Sequence, residues 1–195
     1  MRADSGVRIM AQLFLALVHY PVLNRVGETI ASAITNLDLH DLARSCCTYG
    51  VPVCYIVTPL RDQQVLVNRL TAHWIDGKGG ELLPDRREAL KLLRVVGCLS
   101  SAVEDIAQKT GKTPLLWATS AKSDGGALRH CDARDLLERE ERPILLMFGT
   151  GWGLAPQVFN EVDAVLESIP GVNGYNHLSV RSAASILMDR LLGRK

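Results

Sequence analysis

Three glycines alternate in one short stretch of the chain, LLMFGTGWGLAP, at Gly149, Gly151 and Gly153. They follow the apolar run 144–148, which predicts a buried strand. Because glycine adopts positive φ and lets a backbone approach closely, such a loop is suited to contact a ligand. The alternative interpretation is a tight surface turn without a ligand.

Two more loops follow predicted strands in the same half of the chain. The loop ATSAKSD follows residues 114–117, and the loop PGVNGYNHLSVRS follows residues 165–169. The carboxyl ends of parallel strands share one edge of a sheet, where open α/β folds bind their ligands. We therefore expect one pocket to gather all three loops.

Side chains suited to acid–base chemistry lie in the first and last parts of the chain. Asp38, His40 and His177 are candidates for a general base, and an unperturbed imidazole titrates near neutral pH. Each also has a purely structural interpretation. Asp38 could belong to the first turn of a helix, His40 could lie on a solvated helix face, and His177 could be a loop side chain that is hydrogen-bonded to the backbone. Arg44 follows Asp41 by three residues, a spacing typical of an intrahelical salt bridge.

Basic residues are densest around the polar, glycine-rich connection GKGGELLPDRR, which we expect to be exposed. The cluster comprises Arg86, Arg87, Lys91 and Arg94, with Lys78 close in sequence. It predicts contact with RNA phosphates, and a solvated helix face is the alternative. Aromatic residues are not interleaved with these charges, which favours a folded RNA over a stacked single strand.

Length and composition indicate one compact globular domain over residues 1–195, with residues 1–11 as a flexible N-terminus. Apolar residues make up 47% of the chain, charged residues 22%, and the net charge is +1, so overall charge neither supports nor excludes RNA. The early apolar run 10–18 is too short to span a bilayer, so we expect a cytoplasmic protein without a membrane partner. Five cysteines without a CxxC pair, and histidines without paired-ligand spacing, predict neither disulfides nor a metal.

Alternating strands and helices predict an α/β fold with a mainly parallel sheet of about six strands and helices on both sides. Strands are expected at residues 12–19, 51–58, 92–96, 114–119, 144–148 and 164–169. Helices are expected from Asn36, as N-cap, to Gly50, and at residues 62–74, 101–109, 132–139 and 179–192.

The last predicted helix is apolar over much of its surface. Its apolar residues are Val180, Ala184, Ile186, Leu187, Met188, Leu191 and Leu192. Deep burial is one explanation, and packing against a second copy, which we favour, predicts a homodimer.

Familiar nucleotide and hydrolase motifs do not fit. GTGWGL has Leu154 where a dinucleotide fingerprint needs its third glycine, and TGKT at residues 110–113 lacks the first glycine of a P-loop. No GxSxG or HExxH motif occurs. These absences argue against a nicotinamide enzyme, an NTPase, an esterase and a zinc peptidase.

Three segments together resemble the SPOUT superfamily of S-adenosylmethionine-dependent RNA methyltransferases. DLHDLARSCCTYGV is similar to the first motif of the SpoU-type branch, with Arg44 at its arginine; LLMFGTGWGL resembles the second motif and HLSVRSAASIL the third. The layout is most similar to a bacterial group related to the tRNA guanine-N1 methyltransferases. The resemblance implies a C-terminal trefoil knot, a homodimer, S-adenosylmethionine as cofactor, and tRNA or rRNA as substrate.

The resemblance also implies roles for individual residues. Arg44 would face the partner's active site and hold an RNA phosphate or polarise the acceptor. Asp38 and His177 stand where SpoU-type enzymes carry asparagine, and the second motif lacks its glutamate, so a base nitrogen is as plausible an acceptor as a ribose 2′-oxygen. Cofactor contacts are expected from Ala118, Thr119, Ser120, Phe148, Gly149, Thr150, Gly151, Trp152, Gly153, Ile169, Asn176, Leu178 and Ser179.

Ser179 has a second interpretation as the cap of the last helix. Two other functions stay open from the sequence: a non-catalytic module that keeps the pocket but only binds RNA or protein, and a small-molecule enzyme on a similar scaffold.

Overall fold

The computed structural model describes residues 10–122 and 126–194, so most of the predicted flexible N-terminus lies outside the described residues. In chain order the elements are β1 (Leu13–Val18), β2 (Val22–Leu23), β3 (Thr29–Ile30), α1 (Asn36–Tyr49), β4 (Cys54–Val57), α2 (Arg61–Ile75), α3 (Lys78–Leu82), α4 (Pro84–Leu90), β5 (Leu93–Val96), α5 (Leu99–Thr110), β6 (Leu115–Ala118), α6 (His130–Leu137), β7 (Ile144–Gly149), α7 (Pro156–Phe159), β8 (Ala164–Val165) and α8 (Val180–Leu192). A 3-10 turn, Val172–Gly174, precedes α8.

Six of these strands form one parallel sheet in the order β5-β4-β1-β7-β6-β8, which confirms the predicted fold class. All six residues of β1 are buried, as in a strand with both faces covered. Leu15 and Leu17 pack with α1, α6 and α8, whereas Phe14 and Ala16 pack with α5 and α7. The helices therefore lie on both sides of the sheet, as predicted.

The start of α1 differs by one residue from the prediction. Thr35, and not Asn36, is the N-cap: its backbone is extended and its Oγ1 accepts from Asp38 N at 3.2 Å. An N-cap needs that extended conformation, while Asn36 is already helical. The predicted end is confirmed, since Gly50 has φ of 71° and closes the helix.

The polar connection that was predicted to be exposed is exposed at residues 78 and 81–85, and it is folded into α3 and α4. Gly79 and Gly80 lie against Trp74: a Cβ on Gly79 would be 2.9 Å from Trp74 Cε3, and one on Gly80 would be 2.0 Å from Trp74 O. Pro84 occupies the first turn of α4, where it needs no backbone partner. The two glycines thus permit close packing and do not mark a flexible linker.

The last strand is shorter than predicted. β8 ends at Val165, and beyond it only a bridge between Leu128 and Leu166 continues the pairing. Leu128 N donates to Val165 O at 2.8 Å, and Glu167 N donates to Leu128 O at 2.9 Å. A loop, and not another strand, therefore pairs with this end of the sheet.

The apolar surface of α8 is largely covered by its own chain. Ala184, Leu187, Met188 and Leu191 are buried in the core that includes α1 and α6. Deep burial, the alternative considered from the sequence, therefore explains these residues. The width of the apolar surface is no longer evidence for a second copy.

Candidate active site

The three loops that were expected to bind a ligand leave the carboxyl ends of β6, β7 and β8 on one edge of the sheet. Thr119 Oγ1 donates to Met147 O at 2.9 Å and ties the first loop to β7. Asn176 Nδ2 donates to Ala121 O at 2.8 Å and ties the third loop to the first. We call these loops the loop edge, defined as residues 118–122, 149–153 and 166–179.

The glycine loop, residues 149–153, is held by the segment that follows β1. Leu23 N donates to Gly153 O at 2.9 Å. Gly151 has φ of 60°, and a Cβ there would lie 2.8 Å from Leu23 O. A Cβ on Gly149 would lie 2.4 Å from Leu154 N. Two of the three glycines are therefore needed for close packing within the chain. The sequence alone could not distinguish this role from contact with a ligand.

Apolar side chains of the loop edge differ in what they offer a ligand. Trp152 is 53% exposed and Leu178 is 47% exposed, so both present apolar surface at the edge. Ile169 is half-buried against the core. Ala118 and Phe148 are buried, so at the surface they can contribute only backbone groups.

A buried polar chain supports the glycine loop and was missed from the sequence. His19, fully buried at the end of β1, lies with Nδ1 3.0 Å from Ser32 Oγ, and that hydroxyl contacts Thr150 Oγ1. Thr150 Oγ1 also donates to Val18 O at 3.0 Å. Burial lowers the pKa of His19 to about 4, so the imidazole is neutral. The only sequence signal was a histidine directly after the first buried strand.

Asp38 and Ser179 fix the amino-terminal ends of two helices near this edge. Asp38 accepts from Thr35 Oγ1 at 2.6 Å, and Arg181 Nε lies 3.1 Å from its Oδ1. Ser179 caps α8, since its Oγ accepts from Ser182 N at 3.2 Å. The Asp38 carboxylate is thus occupied in joining α1 to α8, and the capping interpretation of Ser179 is confirmed.

The other candidate catalytic side chains are less constrained. Arg44 is exposed, and Asp41 pairs with Arg181 at 2.8 Å, so the predicted intrahelical salt bridge does not form. His177 is exposed in the third loop with its ring 5.4 Å from that of Tyr175. Arg44 lines two grooves of about 470 and 340 Å³ beside α1, and neither groove includes a residue of the loop edge.

His40 and the predicted RNA-binding cluster lie around α4. Burial, and then the charge of Arg86, lowers the pKa of His40. The cluster is spread over different environments: Arg86 lies over the Trp74 ring, Arg87 is half-buried, Lys91 pairs with Glu88 at 2.6 Å and Arg94 pairs with Asp105. Arg86 is the member that shares grooves with Arg44.

Neither a metal site nor a membrane span is found in the described parts of the chain. Residues 10–122 and 126–194 contain no group of three or more histidine, cysteine or acidic side chains placed to hold a metal ion. Across the same ranges, no helix is both long and apolar enough to cross a bilayer.

Comparison with known proteins extends over almost the whole chain. Residues 12–193 match the model of a family described as SAM-dependent RNA methyltransferase. A tRNA (guanine-N(1)-)-methyltransferase of Nitratidesulfovibrio vulgaris is 50% identical over 193 residues, which are 99% of this chain but 45% of that protein. An uncharacterised protein of Aquifex aeolicus is 36% identical, with 96% of this chain and 92% of that protein covered. The chain thus spans about half of its methyltransferase relative.

Solved structures share the fold at low identity. TrmJ from Z. mobilis superposes with a TM-score of 0.62 at 17% identity, covering 93% of this chain and 69% of that one. The SpoU methyltransferase AviRb from Streptomyces viridochromogenes, solved with AdoMet, gives a TM-score of 0.55 at 17% identity, covering 98% and 62%. The family match extends from β1 through α8 and so includes all three loops of the edge. The chain therefore belongs to a family of S-adenosylmethionine-dependent RNA methyltransferases.

Proposed function

We propose that this protein transfers a methyl group from S-adenosylmethionine to a nucleotide of tRNA or rRNA, at a base nitrogen or a ribose 2′-oxygen. The observation that carries the proposal is the family match over residues 12–193, which spans the complete loop edge. The name of the Nitratidesulfovibrio vulgaris relative supports a guanine of tRNA as the methyl acceptor. This chain corresponds to 45% of that protein. An RNA of this kind implies a cytoplasmic activity.

The loop edge fits the cofactor. An adenosyl group needs apolar walls and backbone hydrogen bonds, and the edge offers the apolar surface of Trp152 and Leu178. Thr150 N, Trp152 N and Gly153 N donate within the chain, so the backbone contacts to the adenosyl group are proposed for the other polar groups of the glycine loop, such as Gly151 N and Gly151 O. The cofactor supplies the activated methyl group, and the chain supplies orientation. Alignment of reacting groups is worth roughly 7–11 kcal/mol in well-oriented systems. The buried chain from His19 to Thr150 holds the glycine loop in one position.

Arg44 is proposed to contact the RNA at the acceptor. Its guanidinium has no carboxylate partner among residues 10–122 and 126–194, which leaves its donors for a phosphate or for the acceptor nucleotide. Neither of the two grooves lined by Arg44 includes a described residue of the loop edge of its own chain, and we therefore propose a homodimer in which Arg44 of the partner subunit completes the site.

His177 is proposed as the base when the acceptor carries a proton. It is exposed in the third loop, next to Leu178, and is therefore accessible to a substrate. Asp38, whose oxygens bind Thr35 and Arg181, is proposed to position α1 and α8.

A single domain with a C-terminal trefoil knot is proposed for the fold. One sheet, with a core on each face, includes strands from residue 13 to residue 165, which supports a single domain. After β8, at one end of the sheet, the chain returns so that α8 packs against α1, which supports a threaded C-terminus.

Methyl transfer can be tested directly with radiolabelled cofactor. Purified protein and methyl-labelled S-adenosylmethionine are incubated with tRNA and with rRNA from cells of the same organism that lack the gene. Label in one RNA class, absent when RNA from unaltered cells is used, is the expected result, and nucleoside chromatography then identifies the acceptor atom. Cofactor binding without label in any RNA would contradict the enzyme and favour a binding module.

A further inference from the structure

The larger groove beside α1, of about 470 Å³, lies against α2 and α4. Sites for small ligands have volumes of roughly 300–1,000 Å³. The groove is lined by two guanidinium groups and three aromatic or imidazole rings, those of Arg44, Arg86, His40, His73 and Trp74. This lining is cationic and aromatic and resembles neither an apolar packing defect nor a solvated helix face.

Trp74 is the residue around which this groove is built. Gly79 and Gly80 let α3 lie directly on it, as the close approach of their Cβ positions shows. The guanidinium of Arg86 lies 5.1 Å from the centre of the indole, and cation–π attraction holds it there. His40 and His73 meet the indole edge-on, at centroid distances of 5.3 and 5.4 Å.

The charge of the groove is not neutralised within the chain. Asp41 also lines the groove, but its carboxylate is bound to Arg181 at 2.8 Å. Among the described residues, neither Arg44 nor Arg86 pairs with a carboxylate. Two unpaired guanidinium groups in one concave site are suited to a phosphodiester, because each can donate two parallel hydrogen bonds to phosphate oxygens. The rings beside them are suited to a nucleobase, which packs on aromatic and guanidinium planes.

We propose that this groove binds the nucleotide next to the methyl acceptor, with its phosphate on Arg44 and Arg86 and its base against the rings of His40 and His73, which Trp74 supports from behind. The proposal rests on the RNA-directed function proposed above and adds a second nucleotide subsite to it. It also explains why the glycine pair, Trp74 and Arg86 are brought together although they lie on three different helices. The sequence did not indicate the contact between Arg86 and Trp74, which forms because the fold brings α2 and α4 together.

RNA affinity measured separately from methyl transfer tests this subsite. A fluorescein-labelled RNA of mixed sequence, 12 nucleotides long, is titrated by anisotropy over a series of salt concentrations. Arg86→Ala is compared with Arg86→Lys, which keeps the charge but loses the planar fork, and with His73→Ala. Arg69→Ala, an exposed arginine on the same α2 helix as Trp74 but outside the groove, is the matched control.

Arg86→Ala is expected to weaken RNA binding about tenfold or more, as expected for loss of a charge-assisted phosphate contact, and to reduce the salt slope by about 0.7. His73→Ala is expected to weaken binding less, and Arg69→Ala to bind like the unaltered protein. Far-ultraviolet circular dichroism and S-adenosylmethionine affinity are expected to be unchanged in all variants.

If Arg86→Ala binds RNA as tightly as Arg69→Ala, the proposed subsite is overturned, even if methyl transfer is confirmed. A loss of RNA affinity that sedimentation traces to dissociated subunits would overturn it as well, and would assign the groove to a contact between copies. Because binding is read without turnover, an inactive protein with Arg86-dependent RNA binding would reject the proposed enzyme and keep the nucleotide site.

Discussion

Arg44 is the side chain whose replacement separates cofactor binding from methyl transfer. Arg44→Ala is expected to lower methyl transfer about 10²–10³-fold, the usual effect of removing one preorganised donor from a reacting group. Arg44→Lys is expected to be intermediate, because a point charge cannot donate two parallel bonds to a phosphate. Single-turnover rates with saturating RNA measure the effect.

Folding and cofactor affinity are the controls for Arg44. The side chain is exposed and is unpaired among residues 10–122 and 126–194, so both properties are expected to be unchanged. Arg139→Ala, another exposed arginine that precedes β7, is the charge-matched control. Unchanged turnover in Arg44→Ala would remove Arg44 from the mechanism.

His19 makes stability depend on pH. Its pKa in the folded protein is about 4, against an ordinary value of 6.5, because burial disfavours the charged ring. Between these values the unfolded chain binds a proton that the folded chain does not, so stability falls as the pH drops from 6.5 towards 4. The loss is about 3 kcal/mol at most from this residue.

The titration of His19 can be followed by NMR of its imidazole. We expect the ring to be about nine-tenths neutral at pH 5 and to reach half protonation near pH 4. A midpoint for His19 near 6.5 would show that the imidazole is not buried as described and would remove the predicted loss of stability.

At the scale of elements, the glycine loop is positioned by its contact with the segment after β1. Gly151→Ala is expected to destabilise the protein by about 1–2 kcal/mol for positive φ and by about 1–3 kcal/mol more for the clash with Leu23 O. Gly27→Ala is the matched control, because Gly27 also has positive φ but has no atom within 4 Å of its Cβ position. Urea denaturation measures both.

Equal destabilisation by the two substitutions would show that the contact with Leu23 does not constrain the loop. The comparison also affects how cofactor binding is tested. Replacing Gly151 to block a ligand would disturb the loop itself, so Leu178→Glu, which adds a charge at an exposed position of the edge, is the sharper variant.

For the whole molecule, the proposed dimer predicts that two inactive variants restore each other. In Leu178→Glu the loop edge is blocked, and in Arg44→Ala the arginine is missing. If Arg44 of one subunit serves the loop edge of the other, random mixing gives about a quarter of the unaltered activity, since half of the dimers carry one intact site. Transfer assays after mixing, with sedimentation of each variant alone, measure this.

If stable mixed dimers recover no activity, Arg44 and the loop edge that act together belong to the same chain. A monomer at all concentrations would contradict the homodimer itself. Either result leaves the nucleotide groove testable, because its lining belongs to one chain.

Several elements could be predicted because their signals are local. The apolar runs of β1, β4 and β7 bury both faces of a strand, and the apolar stripe of α1 ending at Gly50 needs no distant partner to be recognised. The three loops at the carboxyl edge followed from the parallel order of the strands. The motif resemblance led to the family that the chain matches over residues 12–193.

The sequence by itself thus determined the α/β class, the position of the loop edge and the family. Only the tertiary structure decided that Gly79 and Gly80 pack on Trp74, that Asp41 pairs with Arg181 and not with Arg44, and that α8 is covered by its own chain. The physical reason is the distance along the chain over which each kind of interaction acts. Periodicity and caps act within one element, whereas ion pairs, close backbone contacts and grooves join residues that only the packed fold brings together.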